Sequence, residues 1–150
     1  MGTGFTLRDE TSREERLQQA REVELLVNCV LARRAEAEAI ANADPEIVRG
    51  FPEVDCELVS KYCWETNTNF AAVKLMLDLG FPVAHPERNH GYTPLHNAAW
   101  AGSGELVELL IARGHPVDIR DPALLGRHLG MRCSIAWWRS AIRRASSPEW

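Results

Sequence analysis

The sequence predicts an all-α fold assembled from helix–turn–helix units joined by short hairpin loops. Three observations carry this. Apolar residues recur at spacings of three and four over several stretches. Glycine and proline cut the chain into pairs of short helices. One segment also repeats 34 residues on: LMLDLGFPV (75–83) aligns with LLIARGHPV (109–117), so that Val73/Val107, Gly80/Gly114, Pro82/Pro116 and Val83/Val117 coincide.

Taken in order, residues 1–12 are polar and rich in Gly and Thr, and are expected to form a flexible N-terminus. Ser12 to Glu15 reads as a capping box opening a long helix, with Leu17, Ala20, Val23, Val27 and Val30 as its apolar positions. Arg33-Arg34 interrupts, 35–42 forms a second helix, and Asp44-Pro45 ends it. Pro52 opens the next helix, with Val54, Leu58, Tyr62 and Cys63 on one face. Asn69 caps a helix through Val73, Met76 and Leu77, and Gly80 stops it in the left-handed conformation. Residues 81–92 lack a helical period and are expected to form a loop or hairpin. Thr93-Pro94 starts a helix to about Ala101, Gly102 to Gly104 turns the chain, and a last helix over 105–113 ends at Gly114.

Composition narrows the function classes. A chain of 150 residues with 45% apolar and 25% charged side chains fits one globular domain. No apolar run reaches the roughly 18–20 residues that a membrane span needs. The net charge of −4 argues against a general nucleic-acid binder, which requires an exposed basic surface. The N-terminal residues lack the basic-then-apolar order of a secretory signal, so a cytoplasmic location is expected, with Cys29, Cys56, Cys63 and Cys133 as reduced thiols. Cys56 and Cys63, seven apart, read as small apolar fillers, with structural zinc as the sharper alternative.

The run Gly91-Tyr92-Thr93-Pro94-Leu95-His96-Asn97-Ala98-Ala99 resembles the ankyrin-repeat signature G-x-T-P-L-H-x-A-A, and Gly102, Gly114 and Val117-Asp118 fall at that family's offsets. The resemblance implies an ankyrin-repeat solenoid of three to four helix–turn–helix repeats over 13–122. It implies that Thr93 caps the first helix with Pro94 at its first position, and that His96 ties turn to helix. Leu95, Ala98 and Ala99 would face the neighbouring repeat, and Gly91, Gly102 and Gly114 would serve the turns. One repeat earlier, the same register puts Trp64 where Ala98 stands. A residue of that size there predicts wider helix spacing or a rotated first helix.

No catalytic constellation stands out. His85, His90, His96, His115 and His128 form neither H-x-x-x-H nor H-x-H, Gly102-Ser103-Gly104 follows no strand, and G-x-S-x-G is absent. No catalytic residue, metal or cofactor is therefore expected. The resemblance implies instead a non-catalytic adaptor that binds a protein partner through loop tips and first-helix ends. Those positions are Thr66, Asn67, Asn89, His90, Tyr92, Trp100, Ala101 and Arg120. Tyr92 and Trp100 lead this set because exposed aromatics anchor interfaces, while Trp100 could equally pack on the adjacent repeat.

The signature fails after Asp121-Pro122. Residues 123–150 read as an atypical capping helix on Met131, Ile135, Trp138 and Ile142, as a basic amphipathic tail, or as a frameshifted final repeat. Residues 126–150 hold five arginines and one acid, a net of +4, which leaves −8 on residues 1–125. An acidic repeat body predicts a partner surface that is neutral or basic. The protein is expected to be a monomer or weak homo-oligomer, with self-association through Trp137 and Trp138 as the competing class and a small enzyme as a less favoured one.

Overall fold

The computed structural model describes residues 6–64 and 68–117, with side chains from Ser12 onward. The expectations for Thr66, Asn67, Arg120, His128, Cys133 and residues 123–150 lie outside these residues. Seven helices are described: α1 (Thr6–Val30), α2 (Arg34–Ala43), α3 (Glu53–Cys56), α4 (Leu58–Lys61), α5 (Phe70–Asp78), α6 (Pro94–Trp100) and α7 (Gly104–Ala112). No strand occurs among the described residues. The helices fall into consecutive pairs, α1 with α2, α3/α4 with α5, and α6 with α7. Between pairs, α4 packs on α6, α5 on α7 and α1 on α5.

The core runs through all of these layers. Leu25, Cys29, Val59, Cys63, Val73, Met76, Leu95, Ala98, Leu106 and Leu110 are all essentially inaccessible. Small residues at Cys29, Cys63, Ala98 and Ala99 let neighbouring helices approach closely. The three described cysteines are free and buried. Burial pushes the Cys29 and Cys63 thiols up to about 12, which makes them apolar fillers rather than nucleophiles.

Local chemistry sets the helix ends. Asn69 accepts from the Ala72 amide at 3.0 Å, and Gly80 and Gly114 take φ of 97° and 87° to reverse the chain after α5 and α7. Phe81 and His115 follow these glycines, each donating its amide back to the preceding helix, to Met76 O at 3.1 Å and Leu110 O at 3.0 Å. Both side chains are buried. Gly50-Phe51-Pro52, between α2 and α3, shares only the residue order: Gly50 is not left-handed and Phe51 N donates to Val48 O at 3.3 Å, but Phe51 is buried as well.

Three expectations are corrected. First, α1 begins at Thr6, within the stretch expected to be loose, and Ser12 lies inside the helix, accepting at its carbonyl from Arg16 Nε at 3.0 Å. No glycine or proline occurs between Thr6 and Val30, so no helix-breaking residue interrupts α1. Second, the buried face of α1 carries Leu25, Asn28 and Cys29, whereas Leu17, Val23 and Val27 are about half exposed. The helix has two apolar stripes, and its contacts with α2 and α5 cover the other one. Third, the helix expected from Pro52 is split at Glu57 into α3 and α4, with Cys56, Val59, Ser60 and Cys63 buried and Val54 exposed. Glu57 is itself 5% exposed, and its carboxylate is met by the Arg88 amide at 3.3 Å and Lys61 Nζ at 3.5 Å.

The register of Trp64 is also corrected. Asn69 N donates to Tyr62 O as Ser103 N donates to Ala98 O, both at 3.0 Å. Residues 69 and 103 differ by 34 but 62 and 98 by 36, so the turn between α4 and α5 is two residues longer. Trp64 therefore corresponds to Trp100 and not to Ala98. The two indoles stack, with centroids 6.5 Å apart and planes 8° from parallel.

Candidate partner-binding surface

The hairpin between α5 and α6 is closed by backbone bonds, Glu87 N to Tyr92 O at 2.9 Å and Gly91 N to Glu87 O at 2.7 Å, with Gly91 at φ 70°. Its tip carries Asn89 and His90, both exposed. The chain then enters α6 through a reciprocal cap. The Thr93 side chain accepts from the His96 amide, and His96 Nδ1 accepts from the Thr93 amide at 3.2 Å. Thr93 and Pro94 are buried beneath it.

The hairpin is fastened to the preceding pair by Asn97. Its Nδ2 donates to Ser60 O and Ser60 Oγ, each at 3.0 Å, and to Glu87 Oε1 at 2.8 Å. Ser60 Oγ lies 3.2 Å from Tyr92 O, adding a second tie from α4 to the hairpin. Asn97 is 1% exposed, so these bonds form in a dry setting where each counts for more than at the surface.

This fastening opens a cavity of about 390 Å³ lined by Lys61, Trp64, Glu87, His90 and Tyr92. His90 stacks on Tyr92 at 5.9 Å, and Tyr92 meets the edge of His96 at 6.3 Å. Trp100, 47% exposed, stands beside Trp64 at the end of α6. Trp100 therefore both packs on the adjacent pair and presents ring surface to solvent.

Residues 76–124, about a third of the chain, match the family model for ankyrin repeats (many copies), from within α5 through the hairpin and the α6–α7 pair. This segment is an ankyrin-repeat stretch. No curated protein and no solved structure matches it.

Ankyrin repeats are generally protein–protein interaction modules, and the family is typically non-catalytic. Of the positions singled out, His90 and Tyr92 line the cavity, Trp100 adjoins it through Trp64, Asn89 sits at the hairpin tip and Ala101 ends α6. The signature residues Leu95, Ala98 and Ala99 are buried against the core, and Gly102 takes φ 69°. Lys61, Trp64 and Glu87 line the cavity without having been singled out for it. Trp64 carried a signal, its correspondence to Trp100, that the uniform 34-residue register hid. Glu87 carried none, because its place depends on Asn97. Among the described residues, no group of three or more His, Cys, Asp or Glu side chains could hold a metal ion, and no helix is long and apolar enough to cross a membrane.

Proposed function

We propose that this chain is a non-catalytic adaptor that recognises a protein partner through the face formed by the hairpin and the ends of the first helices. The observation that carries the reading is the aromatic cluster of Trp64, Tyr92, His90 and Trp100 around a solvent-facing cavity. Large rings held by stacking lose little conformational freedom on binding, which is why such residues dominate interface energetics. Asn89 and Ala101 flank the cluster, with Thr66, Asn67 and Arg120 as further contact positions. On this reading residues 13–122 form a solenoid of three to four repeats closed by residues 123–150, acting in the cytoplasm as a monomer or weak homo-oligomer. The net charge of −8 on residues 1–125 favours a neutral or basic partner surface.

Affinity capture with the full chain, compared with Tyr92→Ala plus Trp100→Ala, tests this. Proteins held by the wild type should be lost from the double variant, with affinity falling about tenfold or more if both rings act as anchors. Equal capture by a folded double variant would move the binding surface elsewhere.

A further inference from the structure

The cavity between α4 and the hairpin combines aromatic walls with one well-placed carboxylate. Trp64 and Tyr92 supply ring surface, and Trp64 is held parallel to Trp100. Aromatic faces attract cations through their quadrupole, and a planar guanidinium stacks on them more closely than an ammonium does. Glu87 faces the same space, its side chain only 17% exposed. Asn97 fixes its Oε1 at 2.8 Å, while its Oε2 lies 3.9 Å from His90 Nδ1.

The neighbouring cations are already engaged. Lys61 Nζ lies 3.5 Å from Glu57 Oε2, and Arg88 lies 3.6 Å from both Glu57 Oε1 and Glu53 Oε2. Lys61 and Arg88 thus offset Glu53 and Glu57, and among the described residues no lysine or arginine pairs with Glu87. The local excess of one negative charge falls on the carboxylate inside the cavity, and the acidic repeat body reinforces its sign.

We propose that this cavity takes an arginine side chain of the protein partner, its guanidinium against Trp64 and Tyr92 and its charge answered by Glu87. The proposal rests on the reading of this face as the partner surface. Arginine is favoured over lysine because stacking and a directional bond to a fixed carboxylate both use the flat fork of the guanidinium.

The test uses the full chain with 15N-labelled tryptophan, titrated with N-acetyl-arginine methylamide, its lysine counterpart and its citrulline counterpart, which keeps the shape and lacks the charge. The indole N–H signals of Trp64 and Trp100 should shift saturably in the millimolar range with arginine, several-fold more weakly with lysine, and not with citrulline. Glu87→Gln, which keeps an acceptor for Asn97, should lose the arginine response. Equal responses to arginine and citrulline, equal responses to arginine and lysine, or no arginine response at tens of millimolar would each overturn the assignment. Failure here is distinct from failure of the surface itself. Capture that depends on Tyr92 and Trp100 without any arginine response removes the arginine and keeps the surface. An arginine response with capture unaffected by the double variant removes the surface, and with it a partner's arginine as the occupant.

Discussion

The rings of Phe51 and Phe81 meet with centroids 5.4 Å apart and planes tilted by 49°. Each stands between a glycine and a proline after the second helix of its pair, and each is buried. The contact joins one helix pair to the next. Phe81→Ala leaves a void where two layers meet, and should cost about 3–4 kcal/mol. Urea unfolding of the full chain reads this as a lower midpoint at unchanged slope. A loss below about 1 kcal/mol would show that the site collapses around the smaller side chain and that the ring contact is not what joins the layers.

Asp78, at the end of α5, receives bonds from Arg34 at 2.8 Å, from Lys74 at 3.3 Å and from Arg113, so one carboxylate links all three helix pairs. Partial burial works against its charge, but the three cations outweigh this and hold the carboxyl down at about 2, from an ordinary 3.8. A lowered carboxyl pKa stabilises the fold above the ordinary value, and that contribution is lost as pH falls from about 4 towards 2. Asp78→Asn should therefore destabilise by about 1 kcal/mol at neutral pH, a figure limited by solvent screening. The difference from wild type should close near pH 2. Unfolding midpoints measured across this range check it, and a gap independent of pH would mean that Asp78 acts through packing and not through its charge.

His115 occupies the step that Phe81 occupies one repeat earlier, is 3% exposed, and leaves Nε2 buried without a hydrogen-bond partner. Burial pushes its pKa below the ordinary 6.5, against the bond between its Nδ1 and Pro116 O at 2.8 Å. Since the unfolded chain binds the proton more readily, the fold loses stability as pH drops below about 6.5. His115→Phe should stabilise by about 1 kcal/mol at neutral pH by removing the orphaned nitrogen. Its advantage should widen at pH 5, and an advantage that stays constant between pH 7.5 and 5 would contradict the account.

What was legible in the sequence is what neighbouring residues decide among themselves. Asn69, Thr93-Pro94 and the left-handed Gly80 and Gly114 mark helix ends because cap and turn chemistry acts over three or four residues. The 34-residue register of the second helices was legible for the same reason. The buried face of α1 was not, since two apolar stripes share one helix and only its packing on α2 and α5 chooses between them. Extending the register of 34 through a turn two residues longer misplaced Trp64. Gly50-Phe51-Pro52 lies 30 residues before Gly80-Phe81-Pro82, so the same register passed over it. The cavity was the least legible feature, because Asn97 brings Ser60 and Glu87 together across 37 and 10 residues of sequence.

The central claim, that the aromatic face around Tyr92 is where a partner docks, is tested most directly by site-specific photo-crosslinking. A benzophenone amino acid is placed at position 92 or, as control, at Arg49, whose exposed side chain pairs with Glu46 in the turn after α2. Irradiation in lysate should trap a discrete adduct from position 92 and little from position 49. Equal labelling from both positions, or an adduct from position 49 alone, would contradict the account.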